Sequence, residues 1–140
     1  MSMPHIHIKS AKFPILPGED EELINEGTYG WALAQYLEAQ LKARGYDVPF
    51  VCCEDWGWWV QLEGQPYALG LCVYALEDLD TTHELCVTVS HPPGKRWSWR
   101  KFRFFDSTER VKRLDADLRD ILDSDPEVEI LGYPEEFPLG

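Results

Sequence analysis

The chain has 140 residues, 44% hydrophobic and 13% aromatic, with 25 acidic against 13 basic side chains for a formal net charge of −12. That apolar fraction excludes a disordered chain and suits one domain with a real core. The acidity excludes a general nucleic-acid binder, because attraction to phosphate needs a basic footprint.

The N-terminus, Met1 to Lys9, has no apolar core of a signal peptide, and no run approaches the roughly 18 apolar residues of a membrane span. A cytoplasmic protein that does not engage membranes is the expectation. Within that opening, His5-Ile6-His7-Ile8 alternates and reads as a short edge strand. His5 and His7 would share one face of it, but two ligands are too few for a metal site. The rest of segment 1–26, from Phe13-Pro14 through Glu19-Asp20-Glu21-Glu22, reads as a solvated connector.

Leucines at 33, 37 and 41, flanked by Tyr29, Trp31 and Tyr36, predict a helix from Thr28 to Arg44. Thr28 is placed to cap it and Gly45 to end it. Strands are then expected at Pro49–Cys53, Trp58–Glu63, Tyr67–Leu76, Glu84–Ser90 and Arg96–Phe105, joined by short Gly- and Pro-bearing turns that favour antiparallel neighbours. A second helix follows over Ser107–Asp123, capped by Ser107 and carrying the apolar stripe Val111, Leu114, Leu118, Ile121 and Leu122. Asp125-Pro126 stops it, Val128 and Ile130 suggest a last short strand, and residues 132–140 form a Pro-rich acidic tail. The resulting fold class is α+β, a single domain over residues 1–140. Its antiparallel meander has about five strands, with two helices packed on one face.

Alternation sorts the strands into two faces. Trp58, Val60, Leu62, Leu69, Leu71, Val73, Leu85, Val87 and Val89, with Phe102 and Phe104, make an apolar face for the helices to cover. The opposite face carries Trp59, Tyr74, Trp97, Trp99, Lys101 and Arg103 around small residues. It predicts a shallow binding trough in which tryptophans stack on a ligand and Arg103 clamps an anion. The competing expectation is that the N-terminal segment or a second copy covers this face.

No catalytic set emerges. The four cysteines, Cys52, Cys53, Cys72 and Cys86, contain no C-x-x-C pair, and adjacent Cys52 and Cys53 would point to opposite faces. Free thiols in a reducing compartment are expected, with no disulfide, metal or cofactor. His83 and His91 have no nucleophile elbow to serve, and neither a P-loop nor a dinucleotide fingerprint is present. Charge is distributed unevenly: Lys95 to Arg113 holds eight basic residues against two acidic ones, which leaves −18 on the remainder. Its basic and aromatic residues alternate as in single-strand binders, but a charged strand that prevents edge aggregation explains them as well.

Glu54-Asp55-Trp56-Gly57-Trp58-Trp59 is the most distinctive string, and Glu54, Asp55, Trp56 and Gly57 read as a solvated turn with Gly57 permitting the bend. With the helix ending Arg44-Gly45-Tyr46, it resembles small bacterial proteins of unassigned function that carry the same string, over residues 28–63. That resemblance implies a bacterial, intracellular, stand-alone domain and carries over no catalytic residue. Acidic α+β proteins of this size also resemble immunity proteins of toxin systems and secretion chaperones. The functional expectation is therefore a non-enzymatic module that binds a protein with a basic patch, or alternatively a binder of a small anionic or aromatic ligand in the trough. A homodimer is the remaining partner expectation.

Overall fold

Long-range pairing, more than local propensity, builds this sheet. The computed structural model describes residues 4–63, 69–76, 79–90 and 108–135. The expected strand Arg96–Phe105, with Phe102 and Phe104, and the expected Ser107 cap lie outside the described residues, as does the end of the tail.

Among the described residues, six strands, β1 (Ile6–Lys9), β2 (Phe50–Glu54), β3 (Gly57–Leu62), β4 (Leu69–Ala75), β5 (Glu84–Ser90) and β6 (Glu129–Gly132), form one sheet in the order β2-β3-β4-β5-β1-β6. Every pairing is antiparallel, so the α+β class with an antiparallel sheet holds. Four of the five expected meander strands are among the six, and β1 and β6, each read from sequence as a short strand, join the same sheet. β1 lies between β5 and β6 rather than at the edge. Its isoleucines explain the difference: Ile6 and Ile8 are 1% and 0% exposed, and an edge position would leave them half open. Local alternation shows that a strand has one apolar face, but not how many neighbours it has.

Cross-strand register puts Val51 beside Val60, Val60 beside Leu71, Leu71 beside Val89, and Val73 beside Val87. These residues share one buried cluster with Leu33, Leu37 and Leu41 of α2 (Trp31–Ala43) and with Leu114, Leu118, Ile121 and Leu122 of the last helix, Thr108–Asp123. The apolar face expected from alternation is thus the core. Trp31 stacks on Trp58 at 5.0 Å and 5°, fixing α2 over β3.

Among the described residues there are two further short helices, α1 (Glu19–Glu22) and α3 (Leu79–Thr82), the latter where the sequence reads as a loop; the last helix is α4. Leu79 is buried, and the His83 N–H bonds back to the Leu79 carbonyl at 2.9 Å. At the end of α2, Gly45 takes φ 94°. The Tyr46 and Gly45 N–H groups then reach the Leu41 and Lys42 carbonyls, the hydrogen-bond pair of a Schellman motif.

The start of α2 departs from expectation. It begins at Trp31, and no side chain of the N-cap residue Gly30 caps it; Thr28 instead donates to the Asn25 carbonyl at 2.7 Å. The cap comes from Glu19, whose Oε2 accepts the Gly30 and Trp31 N–H groups at 3.0 and 3.1 Å while Oε1 accepts the Leu16 N–H at 3.0 Å. Glu19 is 0% exposed. The segment expected to be a solvated connector is therefore anchored: Phe13 is buried, and Ile15 and Leu23 pack against the core.

Candidate functional site

Two regions carry chemistry: the sheet face opposite the core, and a cleft at the end where α3 and the approach to α2 meet.

On the outer face the register sets Cys52 beside Trp59, Trp59 beside Cys72, and Cys72 beside Thr88. A second row runs Tyr74, Cys86, His7. Trp59, expected to border an open trough, is only 3% exposed. Its indole lies against Gly70, and its Nε1 donates to Gln61 Oε1 at 2.8 Å. Burial consumes the surface that stacking on a ligand would need. Cys86 is buried as well. Tyr74 is half-buried, 5.3 Å from the Trp56 ring and edge-on to His5 at 6.1 Å. Trp97, Trp99, Lys101 and Arg103, the other expected members of this surface, lie outside the described residues.

Burial on this face disfavours the charged forms of three thiols, of Tyr74 and of His5. Burial first, then the Glu54 carboxylate, push the Cys52 thiol up to about 11; burial and then Glu84 push Cys86 up to about 12. Burial also raises Cys72 and Tyr74 and lowers His5. A thiol nucleophile needs the opposite environment, one that favours the thiolate. The histidines have local partners: His5 Nδ1 meets the Thr88 hydroxyl, and His7 Nε2 lies 2.7 Å from Glu84 Oε1. Among the described residues, no group of three or more His, Cys, Asp or Glu could hold a metal ion.

The Glu54–Gly57 string is a tight hairpin turn, with Glu54 opposite Gly57. Gly57 has φ 157°, and a Cβ there would collide with the Val73 carbonyl, so glycine lets β3 approach β4 closely. Glu54 accepts from the Cys52 thiol at 3.4 Å, whereas Asp55 is exposed at the tip. The two carboxylates have separate surroundings and do not form an acid–base pair. The Asp55 carbonyl accepts from Asn25 Nδ2 at 2.6 Å, which ties this turn to the α1–α2 segment.

That segment forms one wall of a cleft of about 570 Å³ lined by Ile15, Glu26, Gly27, Tyr29, Ala75, Leu79 and Asp80. Ile15, Ala75 and Leu79 belong to or pack on the core and form the apolar lining. The Glu26 and Asp80 side chains are exposed, and Asp20, Glu21 and Glu22 are exposed along α1 nearby. Tyr29 donates to Asp20 Oδ1 at 2.5 Å; that bond first, then burial, push its phenol up to about 12. Ile24 is 63% exposed on the same segment. Sequence reasoning missed this cleft. Glu26 and Asp80 face the same cleft from positions 54 apart in the chain, and no local pattern signals that approach.

A second cleft, of about 420 Å³, is lined in part by Lys12, Tyr36, Arg44 and Asp125. Its cations are already engaged: Lys12 with Asp125 at 2.5 Å, and Arg44 with Asp120 at 2.6 Å. No helix among the described residues is long and apolar enough to cross a membrane. No protein-family model matches the sequence, and no match was found among curated proteins or solved structures.

Proposed function

We propose that this chain is a non-enzymatic protein-binding module, an immunity-type inhibitor or chaperone-like adaptor of the cytoplasm, that receives a basic segment of its partner in the cleft between α3 and the segment leading into α2. We read both long helices as covering the core face, which leaves binding to the other face and the ends of the sheet. The observation that carries the proposal is the cleft itself: an apolar lining of Ile15, Ala75 and Leu79 beneath the exposed carboxylates of Glu26 and Asp80. An apolar side chain can bury there while flanking Lys or Arg side chains meet the carboxylates. A net charge of −12 raises the encounter rate with such a partner. The neutral thiols on the outer face favour binding over thiol catalysis. Four free cysteines suit a reducing compartment. The small-ligand alternative loses support, since Trp59 is buried.

The test uses fluorescence anisotropy with labelled peptides that alternate Lys or Arg with Leu, and acidic peptides of the same pattern as controls. The basic peptides should bind, and binding should weaken as salt rises from about 0.05 to 0.5 M. The Glu26→Lys/Asp80→Lys double variant should bind about tenfold more weakly, a loss of about 1.4 kcal/mol. Equal affinity in the double variant would exclude the cleft as the receiving site.

A further inference from the structure

The two edges of the sheet are unlike. β6 is a guarded edge: it has four residues, starts on Glu129, borders a register shift between His7 and Ile8 in β1, and is followed by Pro134. β2, Phe50-Val51-Cys52-Cys53-Glu54, pairs with β3 in unbroken register along all five residues. It has no charge before its last residue and no internal proline, and Phe50 is 46% exposed. Among the described residues, no strand pairs with its outer side.

We propose that β2 is a self-association edge, pairing antiparallel with β2 of a second copy about a two-fold axis at Cys52, so that two sheets become one. The strand's own pattern selects this register. A two-fold axis perpendicular to the sheet keeps each copy's core face on the same side only if paired residues have the same parity. Centring on Cys52 sets Phe50 opposite Glu54 and Val51 opposite Cys53. Val51 and Cys53 both pack against the core, so their sides agree. A slip of one residue would turn the second copy's helices to the wrong face. A slip of two would shorten the ladder, because Pro49 has no N–H to offer at one end and the Asp55-Trp56 turn closes the other. In the favoured register no two like charges are opposed, as Glu54 faces Phe50. That self-complementarity favours a second copy over a foreign strand.

A five-residue ladder is a small interface, so the dimer is weak and forms at high concentration. Each copy carries −12, and their repulsion is screened by salt, so association strengthens as salt rises. This is opposite in sign to the dependence of the cleft on salt, and the two proposals stand or fall separately.

The test combines sedimentation equilibrium over a concentration series with diamide oxidation and peptide mapping. Diamide takes two electrons and two protons from a pair of thiols, leaving a disulfide and the reduced hydrazine. The dimer fraction should grow with protein and salt, and the map should show a disulfide between two Cys52 residues. Cys53→Ser should retain that crosslink and Cys52→Ser should lose it. Phe50→Glu, which sets a like charge opposite Glu54 of the other copy, should weaken association about tenfold while leaving the monomer's Tm unchanged. A strict monomer at about 1 mM would overturn the proposal. So would crosslinks that bypass Cys52, or β2 amides that exchange slowly in the dilute monomer, since the edge would then be covered within one chain.

Discussion

Glu19 shows how a single side chain can hold a fold together without any local sign of doing so. It stands first in Glu19-Asp20-Glu21-Glu22, which reads as a solvated acidic run, yet it is 0% exposed and accepts three backbone N–H groups. Two belong to residues eleven and twelve positions later, at the start of α2. A helix leaves its first N–H groups unpaired, and a buried end needs acceptors. The helix dipole also favours negative charge there. Glu19→Ala should therefore lower the free energy of unfolding by about 3 kcal/mol in urea titrations, through buried donors left without partners. Glu19→Gln keeps one acceptor oxygen and should cost about half as much.

At the scale of the element, the β3–β4 pair depends on a large residue against the smallest one. Gln61 is opposite Gly70, and the Trp59 indole lies across Gly70 where a side chain would otherwise stand. A Cβ at Gly70 would collide with two indole carbons and the Val60 carbonyl. Gly70→Ala should destabilise the protein by about 2–3 kcal/mol and shift tryptophan emission to the red as Trp59 is displaced toward water. Thermal melts and emission spectra check both. The sequence displayed Trp59 and Gly70 on one face, as alternation requires. It did not show that one fills the space of the other, which depends on rotamer and register together. Hence alternation reads Trp59 as lining a trough, whereas its indole is closed in.

Across the whole molecule, distant segments are tied by charge near the C-terminal end of α4. Asp125 accepts from Lys12 at 2.5 Å and from the Tyr36 hydroxyl at 2.7 Å, joining the segment after β1, α2 and the approach to β6. The Lys12 bond first, then that of Tyr36, hold its carboxyl at about 2, against 3.8 for an ordinary aspartate. Its folded value lies below its unfolded one, so the contribution is whole above pH 4 and is lost as pH falls through 2. Lys12 is 31% exposed, and solvent screening limits the contribution to about 1 kcal/mol. Asp125→Asn should lose that much at pH 7 in denaturant titrations, and the difference from wild type should vanish near pH 2.

Periodicity by itself determined the α+β class, the bodies of α2 and α4, most strand positions and the core face, because 3.6- and 2-residue spacings are properties of neighbouring residues. The acidic balance is visible in composition, and it is what motivates the proposal of a basic partner. Only the tertiary structure decided that β1 is interior, that Glu19 caps α2, that Trp59 is buried, and that α3 and the approach to α2 enclose a cleft. Each of these joins residues far apart in the chain, and such pairings are chosen by the total surface buried and hydrogen bonds satisfied on folding, to which no local window has access.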